Sequence, residues 1–174
     1  PQPGNPKGYD GEREKCIPGI YDSVSLILHG EVMIDYVQAA PDIDKDQVKV
    51  QTTISNHGSA DALTDVTVEI REKETGKLVV SKSLTGVEVP AGETVKALDI
   101  LDMDDYRLWS PEDPFLYTVT STVSGDSITQ TFGMRKYRNN TEAGYVELNN
   151  EPIYLRGTNV VVFRFFEDPL RGDL

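Results

Sequence analysis

Polar and apolar residues alternate with a period of two in one short run after another, and no stretch sustains a period of 3.6. Successive side chains of a β-strand point to opposite faces, so such runs can bury one face of a sheet but cannot form the apolar stripe of a helix. Between Val48 and Ile54, the residues Val48, Val50, Thr52 and Ile54 share one face, while Lys49, Gln51 and Thr53 take the other. Val66, Val68 and Ile70 repeat the pattern against Thr67, Glu69 and Arg71. Turn signals separate the runs at Asn56-His57-Gly58, Glu74-Thr75-Gly76-Lys77, Pro90-Ala91-Gly92-Glu93 and Ser124-Gly125-Asp126, because Gly and Asn accept the backbone conformations that tight turns require. Further strands are expected at about Glu31 to Ala39, stopping at Pro41, and at Leu78 to Ser83, Thr94 to Leu101, Phe115 to Val123 and Ser127 to Arg135. Short strands at this spacing predict an all-β fold, an immunoglobulin-like antiparallel β-sandwich, placed at residues 29–138. With Cys16 the only cysteine, that sandwich has no internal disulfide.

The flanks read differently. Residues 1–28 form a lead-in rich in Gly and Pro, ending in a short strand in which Val24, Leu26 and Leu28 alternate with Ser23, Ser25 and Ile27. After the sandwich, Tyr145 to Leu148 and Pro152 to Arg156 make two β-like runs around Asn149-Asn150, a good hairpin turn because Asn tolerates positive φ. Beyond it Val160-Val161-Val162-Phe163 is continuously apolar, as expected of a strand buried on both faces in a parallel sheet or barrel. Residues 139–174 are therefore expected to hold a hairpin and the first strand of a further domain. A buried-type strand without partners makes the chain read as part of something larger.

Charge narrows the function classes. Lys and Arg number 17 against 29 Asp and Glu, a formal charge of −12, and phosphate neutralisation needs a clustered basic surface, so nucleic acid is not expected as a partner. No apolar run approaches the roughly 20 residues of a membrane-spanning helix, and no membrane partner is expected. A neutral sugar would be indifferent to the charge. Asp42, Asp44 and Asp46 begin like a calcium loop, but Gln47 stands where its Gly belongs and Thr53 where its Glu belongs, so a solvated turn is expected. Asp102, Asp104 and Asp105 read as a solvated acidic loop. His29 and His57 lie in turns without a second ligand at metal spacing and read as surface residues. Cys16 reads as an inert thiol, and no metal or cofactor is expected. Trp109 could stack on a sugar ring, yet its setting between strands favours packing at the sandwich edge or against a neighbouring domain. Nothing in the sequence states a compartment; a bacterial periplasmic or extracellular setting is favoured over the cytoplasm.

Three segments carry a resemblance. They are Pro18-Gly19-Ile20-Tyr21-Asp22-Ser23-Val24; Leu108-Trp109-Ser110-Pro111-Glu112-Asp113-Pro114-Phe115-Leu116-Tyr117 with the later Phe132-Gly133-Met134-Arg135; and Leu148-Asn149-Asn150-Glu151-Pro152-Ile153-Tyr154-Leu155-Arg156-Gly157-Thr158-Asn159. In this order and spacing they resemble the glycoside hydrolase family two enzymes, the group of β-galactosidases, β-glucuronidases and β-mannosidases. The resemblance implies the last strand of an N-terminal jelly-roll domain, an immunoglobulin-like sandwich, and the start of a (β/α)₈ catalytic barrel. It implies partners too: the parent's jelly-roll domain and barrel, with the β-glycoside substrate reached only through the parent. In the family two barrel glutamates perform retaining hydrolysis, which needs carboxyl groups about 5 Å apart. Neither glutamate's motif occurs in these 174 residues, so the chain by itself is expected to be inactive. The chain departs from the family pattern where Asn150 replaces the hairpin Gly, and where Val160 to Pro169 replaces the Arg-His-Glu stretch of lactose-cleaving members. No residue is expected to be catalytic; Asn159, Arg164, Glu167 and Asp168 would support the parent's site from the end of the first barrel strand.

Two rival readings use the same residues: a self-standing carbohydrate- or protein-binding immunoglobulin-like module, and a pure spacer. Segments 20–28 and 152–166, deprived of covering sheets, are expected to pair with another copy, pack back on the sandwich, or lie disordered.

Overall fold

The structure, a computed structural model, describes residues 23–158. Ten strands are present among them: β1 Val32–Asp42, β2 Gln47–Asn56, β3 Ala62–Glu72, β4 Leu78–Val89, β5 Thr94–Asp102, β6 Tyr117–Val123, β7 Asp126–Phe132, β8 Tyr137–Asn140, β9 Tyr145–Leu148 and β10 Glu151–Ile153. They form three antiparallel sheets, in the orders β1-β2-β5, β4-β3-β6-β7 and β10-β9-β8. The first two face each other as a sandwich, and the all-β expectation stands. In the constant-type immunoglobulin arrangement the fourth strand joins the sheet of the first two. Here β4 stays on β3, held there by the tight turn in which Gly76 takes φ 71°.

The core lies between the two inner faces and follows the alternation. Val48, Val50 and Ile54 on β2, Val66, Val68 and Ile70 on β3, and Val119 and Val123 on β6 are at most 1% exposed. Thr52 occupies the same face of β2, and its hydroxyl meets Ser121 Oγ of the opposite sheet at 2.8 Å, a buried polar pair that satisfies both groups. On β1 the buried positions are Ile34 and Val37, three residues apart, because a bulge between Ile34 and Tyr36 shifts the phase of the strand.

The structure corrects several strand expectations. Residues 23–30 form no strand, and Val24, Leu26 and Leu28 are 76%, 86% and 87% exposed: alternation makes a strand only where an edge is available to pair it. β1 does not stop at Pro41 but runs on to Asp42, pairing Pro41 with Val48. β1 bonds only β2 within its sheet, and an edge strand tolerates a residue without an N–H. β4 continues past Ser83 to Val89, through a register shift near Gly86, whose φ is 68°. Asn149 and Asn150 take φ 55° and 68°, the two-residue hairpin conformation expected of them. The second arm is only Glu151–Ile153, and β8 adds an unanticipated third strand on the other side of β9.

Candidate functional site

The three-stranded sheet is welded to the end of the sandwich, and the weld is built around Trp109. After β5 the chain runs irregularly from Met103 to Leu116 before entering β6. Arg107 holds this loop in shape: its guanidinium donates to both oxygens of Asp113 at 2.8 and 2.9 Å and lies 4.2 Å from the centre of the Phe115 ring. Its backbone N–H donates to the Tyr117 hydroxyl at 2.8 Å. Tyr117 is 2% exposed, packs against Phe115 and Phe132, and its hydroxyl is pushed above the ordinary range by burial. That hydroxyl therefore stays protonated and serves as a fixed acceptor for the loop.

Trp109 then lies across the strand that leaves β7. Its backbone N–H donates to the Met134 carbonyl at 2.9 Å, beside the parallel bridge of Leu108 with Met134. A Cβ on Gly133 would stand 2.8 Å from the Cβ of Trp109, closer than side-chain carbons come, so the close approach requires Gly at this position. Arg135 covers the indole with its guanidinium 4.5 Å from the ring centre, a cation–π arrangement.

Asn149 closes the weld from the other side. Its N–H donates to the Lys136 carbonyl at 2.8 Å, its Oδ1 accepts from the Lys136 N–H at 3.1 Å, and its Nδ2 donates to the Trp109 carbonyl at 3.0 Å. Asp44, on the β1–β2 turn, accepts from Lys136 Nζ and from Asn150 Nδ2; the Lys136 hydrogen bond, with that of Asn150, holds its carboxyl below the usual range. Asp46 accepts from the Tyr106 hydroxyl at 2.8 Å, and burial first, then this carboxylate, pushes Tyr106 up to about 12. The turn expected to be merely solvated is thus tied to two other parts of the molecule.

Between sandwich and sheet lies a cleft of about 320 Å³ lined by Trp109, Pro111, Arg135, Tyr137, Leu148, Ile153 and Leu155. The register puts Tyr137 opposite Leu148, and Val146 opposite both Asn139 and Ile153, so one face of the small sheet is mostly apolar. The other face carries Glu147, which accepts from Asn140 Nδ2 at 2.8 Å and pairs with Arg138 at 3.5 Å. The cleft lining contains no carboxylate, imidazole or thiol, so the site offers apolar and cationic contact and lacks the carboxyl pair of a glycosidase centre. Among the described residues no group of three or more His, Cys, Asp or Glu could hold a metal ion.

Asn159, Arg164, Glu167 and Asp168, as well as Cys16 and the apolar run Val160 to Phe163, lie outside the described residues. Trp109 does pack at the sandwich edge. Sequence reasoning missed the roles of Gly133, Arg135 and Asn149, because their partners Trp109 and Lys136 are 13 to 40 positions away and no local pattern announces them.

Comparison with known proteins gives a consistent result. The sequence model described as glycosyl hydrolases family 2 matches residues 32–135. β-Mannosidase A of Aspergillus aculeatus is 24% identical over 178 residues, covering 88% of this chain and 19% of that protein. A β-glucuronidase of Formosa agariphila is 25% identical over 115 residues, covering 63% of this chain and 11% of that protein. The solved structure of a glycosyl hydrolase family 2 member from Bacteroides cellulosilyticus superposes with a TM-score of 0.63 at 21% identity, covering 73% of this chain and 18% of that one. This chain thus spans at most about a fifth of the length of each.

Proposed function

The chain belongs to the glycosyl hydrolases family 2, and from that premise we propose that it is the non-catalytic β-sandwich part of a retaining hydrolase of β-glycosides, bracing a catalytic barrel that follows it. In this reading residues 29–138 are the sandwich, residues 1–28 end a preceding jelly-roll domain, and residues 139–174 begin the barrel. Asn159, Arg164, Glu167 and Asp168 then approach the parent's active site without reacting. The observation that carries the proposal is the Trp109–Asn149 weld. Hydrogen bonds between Asn149 and both Lys136 and Trp109 fix the small sheet on the sandwich, so β10 leaves the weld in a defined direction. The apolar cleft beside the weld is where a following domain would pack, and the β-mannosidase and β-glucuronidase relatives support β-glycosides as the substrate class.

The test compares this chain with a longer gene product that contains it, on aryl β-mannoside, β-glucuronide, β-galactoside and β-galacturonide. The expected result is no turnover by the chain and, for the longer protein, hydrolysis of at least one substrate with retained anomeric configuration by NMR. Turnover by the chain itself, or inversion by the longer protein, overturns the proposal.

A further inference from the structure

The chain has two histidines, 28 positions apart, and the fold brings them together: the rings of His29 and His57 lie with centroids 5.1 Å apart and planes at 48°. We propose that this pair is a chelating site for one divalent transition-metal cation of the zinc and copper class, which clips the segment entering the sandwich to the β2–β3 turn.

The spacing suits chelation. With metal–nitrogen bonds of about 2.0–2.1 Å and each ring nitrogen about 1.2 Å from its ring centre, two imidazoles on one tetrahedral ion place their centroids about 5 Å apart. The tautomer suits it as well. His29 Nδ1 lies 2.7 Å from the Gly30 carbonyl oxygen, which can only accept, so Nδ1 is the donor and Nε2 is the nitrogen that a neutral ring would offer to a metal. A backbone carbonyl holding the distal N–H is the usual support of a metal-bound imidazole.

The backbone beneath both rings is already ordered. Asn56 shapes the turn that carries His57: its Oδ1 accepts from the Gly58 N–H at 2.8 Å, and its Nδ2 donates to the Ala60 and Val89 carbonyls, each at 2.9 Å. The backbone N–H of His57 donates to the Glu31 carbonyl at 2.7 Å, joining the turn to the segment that bears His29 two residues earlier. The Glu31 carboxylate lies over the same turn, with Oε2 3.0 Å from where a Cβ on Gly58 would stand, and adds negative potential. Asp126 shares a cleft with His29, but its oxygens accept from the Ile34 and Ser127 N–H groups. With no third ligand converging among the described residues, water completes the coordination sphere, and imidazole selects borderline metals over the hard cations that a surface of charge −12 attracts.

The test is calorimetric titration of the full chain with Zn²⁺ and Cu²⁺, each with and without excess Ca²⁺, for the native protein, His29→Ala, His57→Ala and His57→Gln. Thermal melts confirm that the variants, altered only at exposed positions, stay folded. The expected result is one Zn²⁺ per chain unaffected by Ca²⁺, affinity reduced about a hundredfold by each substitution as chelation is lost, and simultaneous shifts of both imidazole NMR signals. Slower hydrogen exchange at the His57 N–H on adding Zn²⁺ would accompany it. Binding that Ca²⁺ displaces, or that survives the substitutions, is carboxylate binding and overturns the proposal, as does the absence of any saturable binding.

Discussion

Two threonines next to each other on β2 show how much a hydroxyl's surroundings matter. Thr52 Oγ1 bonds Ser121 inside the core, whereas Thr53 Oγ1 is buried without a hydrogen-bond partner. Valine keeps the shape of threonine and removes the hydroxyl. Thr53→Val is expected to stabilise the protein by up to about 1 kcal/mol by removing an uncompensated polar burial, while Thr52→Val should cost about 1–2 kcal/mol because it orphans Ser121. Urea denaturation of the two variants checks the opposite signs. Asp99 is a second residue set against its environment: it is 3% exposed, and burial raises its carboxyl although Lys82 opposes the shift from 3.8 Å. A raised folded-state value means that the folded chain binds more protons than the unfolded one. The stabilisation from this group is therefore full below the unfolded value of 3.8 and is lost as pH rises through the raised value. Asp44 has the opposite sign, contributing above 3.8 and losing its contribution as pH falls through its lowered value. Asp99→Asn should accordingly be more favourable, relative to the native protein, at pH 7 than at pH 4, with Lys82 still donating to the Ile100 carbonyl. Equal effects at the two pH values in urea titrations would sink this account.

At the scale of the elements, the weld should behave as one unit. Asn149→Ala removes the side-chain bonds to Lys136 and Trp109 and places a β-carbon residue without Asn's tolerance at φ 55°. Amides of β8, β9 and β10 should then exchange about tenfold faster or more, while those of β2, β3 and β6 keep their protection. Gly133→Ala attacks the same weld from below: a methyl group 2.8 Å from the Trp109 Cβ must displace the indole, at an expected cost of about 1–3 kcal/mol and with a changed tryptophan fluorescence spectrum. Unequal legibility in the sequence follows the same division. Strand alternation and turn residues act within a few positions, so β2, β3, β5, β6, β7 and β9 could be read from residues such as Val48, Val66 and Asn149. The strand misread at residues 24–28 fails because pairing is decided by a partner that alternation does not reveal. The cleft was legible only as Trp109, since what makes it a cleft is contact between residues 109, 133–137 and 148–155, which the fold alone brings together.

For the whole molecule, net charge and exposed apolar surface pull in opposite directions. A charge of −12 on 174 residues keeps copies apart at low ionic strength. Yet Tyr154 and Leu155 stand 81% and 58% exposed beside the cleft, Tyr137 is 58% exposed on its rim, and Leu26 and Leu28 are bare at the other flank. In the proposed parent the barrel covers the cleft; in the isolated chain a second copy is the available cover. Salt shortens the reach of the repulsion to about 8 Å at 0.15 M and leaves apolar attraction intact. Sedimentation of the chain should therefore show a monomer at about 20 mM salt, with the average mass rising toward a dimer as salt increases. Leu155→Lys, which puts a cation on the apolar rim, should hold it monomeric throughout. A mass that falls with added salt would mean that ion pairs and not the cleft join the copies, and the bracing role would lose its strongest surface argument.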